Sequence, residues 1–309
     1  MARIAAVVSN GCNPDPRVLR EAKWLIDEGH EVTIHAFDRL QNLPSEEIVN
    51  GIQIRRHRVG KTPYGGTIST ILGLRKFRNS VSKSLREIDL LHCHDADTLD
   101  ISNNVEVAVI FDMHDLHHTW ALMPNPQSKL RQYFSKRMKR KMLKQAKRAN
   151  AIITSSPGFV EWLNEHGLKA NSIENRIPKK GVLPLPDLLT IGYFGRIRET
   201  SSFVLLRDAL LRIENSKDRP SILIAGDGTH VDDVAKVFAE SPQIESEIRG
   251  PFTQSDLQSM MSEIGLMFAM YSPERGNISD GALPAKMFEA AAFGRPSIVN
   301  RNTLMGEVC

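Results

Sequence analysis

Short apolar runs alternate with amphipathic stretches along this chain, and the alternation limits it to few folds. Arg3–Ser9 is an apolar run and Asn10–Pro16 a turn-rich loop; Val18, Leu19, Ala22, Leu25 and Ile26 then share one side of a stretch ending at Gly29. Glu31–Phe37 reads as a strand again. Strand, loop, helix and strand in that order make a βαβ unit, the start of a doubly wound sheet. Gly51–Val59 predicts another strand, Gly60–Gly66 a loop, and Thr67–Leu85 a helix with a basic side. Ile88–His94 and Val105–Asp112 are short apolar runs of the kind found in parallel sheets covered on both faces. Ser128–Arg148 predicts a long helix, Ala151–Ser156 a strand, and Phe159–Glu165 the start of a further helix.

The alternation then breaks and restarts. Lys179–Pro186, with two prolines and a glycine, reads as a linker. Strands are predicted at Thr190–Gly195, Ser221–Gly226, Ile244–Arg249, Ile264–Tyr271 and Ser297–Asn300, with helices at Phe203–Arg212, Val231–Phe238 and Ser255–Met261. A chain of 309 residues is long for one typical domain. The charge divides at the same place: residues 1–186 carry a net +9 and residues 187–309 a net −5. The expectation is an α/β protein of two Rossmann-like doubly wound domains, residues 1–180 and 187–309, facing a cleft. Only nine residues follow the last strand, so the second domain is expected to be incomplete at its end, with apolar sheet surface uncovered.

Other classes are disfavoured. The start of the chain has a charge and then only a short apolar run, which fits a first strand and not a signal peptide. No run approaches the ~18 apolar residues of a membrane span. Cys12, Cys93 and Cys309 are too few and too scattered for a disulfide framework or a zinc ribbon, so a cytoplasmic home is expected.

The most informative stretch is Asp280–Asn300. A loop with Asp280 and Gly281 leads through Pro284 into a helix that Gly294 stops, and a short strand follows. Unpaired backbone amides and the positive dipole end at such a helix start suit a phosphate. Lys286 and Glu289 share one face a turn inside it, a cation for a diphosphate and a carboxylate for ribose hydroxyls. An ordinary helix N-terminus with a surface ion pair has the same sequence. Ligands in doubly wound sheets lie outside the carboxyl ends of the strands. Those ends carry Gly195-Arg196, Gly226-Asp227-Gly228 and Arg249-Gly250, and two arginines converging with Lys286 would neutralise a diphosphate.

In the first half, two strands end in histidines, at His92 and His94 and at His114, His117 and His118. No spacing among them matches a metal site, and none is expected. Asp95-Ala96-Asp97 is expected to cap a helix. His114, at a strand end, is the residue chosen as functional; a buried, hydrogen-bonded structural histidine is the other reading. Residues 128–148 hold ten Lys/Arg around an apolar side that includes Leu130, Tyr133, Phe134, Met138 and Met142. Such a helix either lies against anionic lipid or is simply solvated.

Taken in order, these motifs resemble the retaining glycosyltransferases of family 4, which have the two-Rossmann GT-B fold. The resemblance runs along nearly the whole chain. It is carried by Asp15-Pro16-Arg17 through Ala22, Asp89 through Asp95, Asp112-Met113-His114-Asp115, Ile191 through Arg196, Ile224 through Gly228, and Ala282 through Pro296. It implies a nucleotide-diphosphate-sugar donor on the second domain and a cell-envelope glycan, glycolipid or other acceptor on the first. Retention at the anomeric carbon without a bound metal is also implied; apart from the resemblance, no cofactor and no nucleic-acid partner are expected, and the lipid-facing reading of residues 128–148 would place the protein peripherally at the inner face of the membrane. By position, Arg196 matches the residue on the donor diphosphate, Glu289 the ribose carboxylate, Ala282 and Leu283 the loop amides facing the phosphates, and His114 the histidine near the reacting sugar. Gly281 stands where the family has the first of two glutamates, and Arg198 is the nearest cation to the family's lysine after the Gly-Arg pair. The expected donor site is therefore Gly195, Arg196, Arg198, Gly226, Arg249, Gly281, Ala282, Leu283, Lys286 and Glu289, with His114 in the other domain. The alternatives are a non-catalytic nucleotide-sugar-binding remnant and a sugar-nucleotide epimerase of the same fold.

Overall fold

A computed structural model describes residues 1–62, 67–123, 125–272 and 275–309 and divides into two compact units, Met1–Ile173 and Glu174–Cys309. Positions 63–66 of the loop predicted after Val59 lie outside the described residues. The first unit runs β1 (Arg3–Val8), α1 (Pro16–Asp27), β2 (Glu31–Phe37), β3 (Glu46–Val49), β4 (Ile52–His57), α2 (Thr67–Ser84), β5 (Leu90–His94), β6 (Ala108–Met113), α3 (His117–Trp120), α4 (Lys129–Ala146), β7 (Ala151–Thr154), α5 (Pro157–Glu165) and β8 (Asn171–Ser172). Its eight strands lie in the order β3-β4-β2-β1-β5-β6-β7-β8, all parallel except the β3–β4 pair. The order reverses at β1, whose side chains are buried from Ile4 to Val8, so the loops after β1 and β5 diverge and leave a crevice where ligands bind in such sheets. Helix α1 starts there because Asp15 caps it, accepting from the Val18 amide at 3.2 Å, and Pro16 fits the first turn. Val18 and Ala22 pack on Ile4, Ala6 and Ile34, which hold the helix on the sheet.

The second unit runs β9 (Thr190–Phe194), α6 (Ser201–Leu211), β10 (Ser221–Ala225), α7 (Val231–Ala239), β11 (Ser246–Arg249), α8 (Leu257–Ser262), β12 (Leu266–Phe268), α9 (Gly276–Ser279), α10 (Ala285–Ala292), β13 (Ser297–Ile298) and α11 (Leu304–Val308). Its five parallel strands lie in the order β11-β10-β9-β12-β13, and this order too reverses, at β9. Apolar clusters cover both faces, one around Tyr193, Phe203 and Phe238 and another around Phe194, Met261 and Phe293.

Two expectations are corrected. The 179–186 stretch belongs to the second unit and is not a free linker. The Lys180 amide donates to Ala292 O at 2.8 Å, the Leu183 amide donates to Phe293 O at 3.1 Å, and buried Arg295 donates to Leu183 O at 2.9 Å. The boundary therefore falls at Ile173/Glu174. Apolar surface beyond the last strand is not left bare: Met305 of α11 is fully buried against Ala269, Leu283 and Met287. Helix α4 does not turn all its apolar residues inward. Met142, Gln145 and Ala146 are buried, whereas Leu130 is 66% exposed, Tyr133 60%, Phe134 42% and Met138 39%.

Candidate functional site

In the second unit the loops after β9 and β10 are stitched together. The Gly195 amide donates to Ala225 O at 2.9 Å and the Ile197 amide to Asp227 O at 2.7 Å. The two backbones come so close that a Cβ on Gly226, whose φ is +146°, would lie 1.9 Å from Gly195 O. Only glycine fits there. Gly195, also at positive φ, lies against the end of the Lys286 side chain, 3.8 Å from where its own Cβ would be. Lys286 is the second residue of α10, and its chain crosses to the tip of β9 because Met287, Phe288 and Ala290 anchor the helix on the core.

Lys286 is the most unusual group of this unit. It is 7% exposed, its Nζ sits 3.1 Å from the centre of the Tyr193 ring and 5.5 Å from that of Tyr271, and no described residue accepts a hydrogen bond from it. Burial, and then the charge of Arg275, holds the amine well below the usual lysine range, with Glu289 pulling the other way and Arg198 adding to the depression. Glu289, one turn on and half-buried, is raised by burial and drawn back by Lys286. Arg196 is exposed directly after β9, and its carbonyl accepts the Tyr193 hydroxyl at 2.9 Å. Gly281, at φ +94°, turns the chain between α9 and α10. The structure therefore gathers Gly195, Arg198, Gly226, Lys286 and Glu289 around one point, the start of α10.

Three predicted members stand elsewhere or are already engaged. Arg249 does not converge on Lys286. It is clamped on edge strand β11, where Glu263 at 2.6 and 2.9 Å and Glu247 at 2.7 and 2.9 Å take its donors and raise its pKa further. A bidentate match between guanidinium and carboxylate wins over the strand-end position that suggested a ligand. The Ala282 amide donates to Asn277 O at 2.9 Å, so it closes the turn rather than pointing to a ligand, while the Leu283 side chain is buried in the core. Tyr193, Tyr271 and Arg275 were missed: an aromatic residue near a strand end is indistinguishable from core in a sequence, and Arg275, just before α9, belongs to no motif.

In the first unit, the ends of β5 and β6 and the start of α1 build a second constellation. Strand periodicity puts His92 and His94 on one face, and register pairs His94 with Asp112. Asp112, wholly buried, accepts from Arg17 Nε at 2.8 Å and Arg17 Nη2 at 2.7 Å, and lies 2.9 Å from His114 Nε2 and 3.2 Å from His94 Nδ1. His114 Nε2 is also 3.0 Å from His94 Nδ1, and His114 Nδ1 is 3.5 Å from Asp95. Burial raises the Asp112 pKa, but His114, His94 and Arg17 overcome it and hold the carboxyl well below its usual range. Burial likewise lowers His114, yet Asp95 and Asp112 lift it to about 10, and Asp95 helps to lift His117 to about 9. At neutral pH, His114 is thus a cation held between two carboxylates: it donates and does not accept.

Asp95 is not a helix cap. Its backbone is left-handed (φ +63°), and its side chain accepts the His114 amide at 3.0 Å. The histidine spacing was also misleading about proximity, since Glu21, His92, His94 and Asp112 each offer a ligand atom within 4.8 Å of the others, a set that could hold a metal. Arg17 already lies on both carboxylates, 3.1 Å from Glu21, so a cation occupies the charge centre of that set. Burial, then the neighbouring Asp112, pushes Glu21 up to about 8. Arg17 and Glu21, four residues apart on α1, were not picked out as site residues; their shared face was the available signal.

Comparison with known proteins fits this arrangement. Residues 17–174, a little over half of the chain, match the model of Glycosyltransferase Family 4. Over 321 aligned residues the chain is 26% identical to the succinoglycan biosynthesis protein ExoL of Rhizobium meliloti (strain 1021), covering 94% of this chain and 74% of that protein. Sucrose-phosphate synthase from Thermosynechococcus elongatus superposes with a TM-score of 0.74 at 14% identity, over 97% of this chain and 81% of that one. HepE of Anabaena, solved in complex with UDP and glucose, gives 0.68 at 14% identity over 100% and 83% of the two chains. The fold is thus of the GT-B class, and the chain belongs to Glycosyltransferase Family 4, a family of transferases.

Proposed function

We propose that the protein moves a sugar, with retention and without a metal, from a nucleotide-diphosphate sugar to a cell-envelope glycan or glycolipid. The observation that carries this reading is Lys286: a buried amine with no acceptor among the described residues, next to the glycine-lined tip of β9 and at the start of a helix. Such a group is costly unless a ligand completes it, and a diphosphate offers the acceptors it lacks. Arg196 and Arg198 would share the charge, and Glu289 would take ribose hydroxyls. Charge that builds on the departing diphosphate would be stabilised by these fixed cations and by the first amides of α10. His114, an imidazolium held by Asp112 and Asp95, would keep its proton rather than abstract one. The relative ExoL, by its name a succinoglycan biosynthesis protein, supports a polysaccharide acceptor.

The test begins with a thermal-shift screen of UDP-, GDP- and ADP-sugars, because a ligand of the native state raises its stability. The donor found is then incubated with acceptor in EDTA, and the anomeric configuration of the product is read by NMR. Transfer with retention in EDTA is expected. Activity restored only by added metal, or a free donor whose sugar is converted to its epimer, would overturn the proposal.

A further inference from the structure

We propose that α4, together with the neighbouring face of α2, is a docking surface for an anionic lipid bilayer. A surface helix normally turns its large apolar residues to the core. Helix α4 turns four of them to solvent: Leu130, Tyr133, Phe134 and Met138, at spacings of three and four residues that make one stripe. The residues that do hold α4 to the protein are smaller or polar, with Met142, Ser135, Gln145 and Ala146 buried. Leu130, Phe134 and Met138 run on at four-residue spacing into buried Met142, so this apolar side is covered toward the end of α4 and open to solvent over its first half.

Charge identifies the occupant. Residues 128–148 contain ten Lys/Arg and no Asp or Glu. Several have partners: Lys141 binds Asp100, Lys139 lies over Trp162, Arg131 donates to Ala121 O and Arg148 to Asn103. Lys129, Lys136, Arg137, Arg140, Lys144 and Lys147 pair with no described residue. Six unpaired cations beside an exposed apolar stripe match an anionic bilayer, whose headgroups take the cations and whose acyl boundary takes the apolar side chains. A nucleic acid would use the cations but has no place for Leu130 and Met138.

The surface is rigidly displayed and extends to a second helix. Arg78 of α2 and Lys141 and Gln145 of α4 all bond to the Asp100 carboxylate, so the two helices are tied to one point. Helix α2 exposes Ile71 at 55% and Leu72 at 53%, next to exposed Arg75 and Lys76, repeating the apolar-plus-basic pattern. Among the described residues no helix is long and apolar enough to cross a membrane, so the contact is interfacial.

The experiment uses flotation of the full chain with vesicles of phosphatidylcholine alone or of equal parts phosphatidylcholine and phosphatidylglycerol, at low and high salt. Binding to the phosphatidylglycerol vesicles, weakened by salt, is expected. Replacing Lys136, Arg137, Arg140 and Lys144 together by Gln should lower the partition coefficient by about a hundredfold or more. Tyr133→Ser/Phe134→Ser should lower it about tenfold or more with an unchanged melting temperature, since both side chains are exposed. Equal binding to neutral vesicles, no binding to either, or binding untouched by the Tyr133/Phe134 change would overturn the proposal. So would an RNA that binds the full chain tightly and is as sensitive to the Tyr133/Phe134 change as the vesicles are.

Discussion

Replacing Lys286 by Met separates a ligand-binding lysine from a structural one. Met conserves the length and volume of the side chain and removes only the amine. In the free protein the amine has no ion-pair or hydrogen-bond partner among the described residues, and its largest favourable contact is the Tyr193 face 3.1 Å away. Leaving a buried polar group unsatisfied costs about 1–3 kcal/mol, and a desolvated cation–π contact returns about 2. The two nearly cancel, and burial disfavours the charged amine besides, so Lys286→Met should leave the free protein at least as stable at neutral pH. A lysine in a buried ion pair would behave differently, since removing it would cost about 3–5 kcal/mol. Donor binding should respond strongly: two lost charge-assisted hydrogen bonds at about 1.5–3 kcal/mol each weaken it by at least about a hundredfold.

The same residue gives a pH signature. Its folded pKa lies below its unfolded one, so between the two values the unfolded chain holds more protons and stability rises with pH, up to about 10.4. Lys286→Met should remove that rise. A diphosphate would favour the ammonium form, so donor binding at a pH above the folded value should take up a proton and show a calorimetric enthalpy that depends on the buffer. Urea titrations across pH and calorimetry in two buffers measure both effects. A variant that loses more than about 3 kcal/mol while binding the donor as tightly as before would refute the reasoning.

Gly226→Ala would drive a Cβ into Gly195 O at 1.9 Å and hold a left-handed φ, so a loss of about 3 kcal/mol or more in urea, with donor binding lost as well, is expected. Arg17→Met takes two charge-assisted hydrogen bonds from buried Asp112, which keeps only its histidine partners, and should cost about 3–5 kcal/mol in urea; a loss under about 1 would show that Arg17 does not hold the cluster. His114 is raised from 6.5 to about 10, so its stabilisation is complete below pH 6.5 and disappears as pH rises through 10; in His114→Asn, urea midpoints should lack that alkaline loss. Arg249→Gln breaks a clamp that is partly open to solvent, so about 1 kcal/mol or less of stability is at stake, and donor affinity measured by calorimetry should not change.

These predictions depend on features that differ in how far the sequence disclosed them. Periodicity and turn residues placed most strands and the longer helices, because a parallel strand buried on both faces has to be a short apolar run, as Leu90–His94 and Ser221–Ala225 are, but β8, α3, α9 and α11 are too short to show a period and were missed. The β3 strand escaped, since Glu46-Glu47-Ile48-Val49 is an edge strand half open to water, though Asn50-Gly51 announced its turn: both have positive φ, and Val49 pairs with Ile52 across it. Glycine at strand ends was legible for the same steric reason that makes Gly226 irreplaceable. Side-chain partnership was not. Arg249 and Arg196 both end a strand or directly follow one, and only the tertiary placement of Glu263 commits Arg249 to a clamp.

The histidines show most clearly where sequence reasoning stops. His114 can be singled out by its place after β6, but its chemistry is fixed by Asp112 two residues back and by Asp95 on a different strand end. Two carboxylates make it a cation, whereas burial, then His57 and Arg55, push His35 down to about 3, and burial, then Arg55, push His57 down to about 4. A residue's role as donor or base is thus a property of what the fold sets beside it. The same holds for Lys286: position marks it as a candidate, but the aromatic walls and the lack of an acceptor among the described residues turn an ordinary helix-start lysine into one that a ligand would complete.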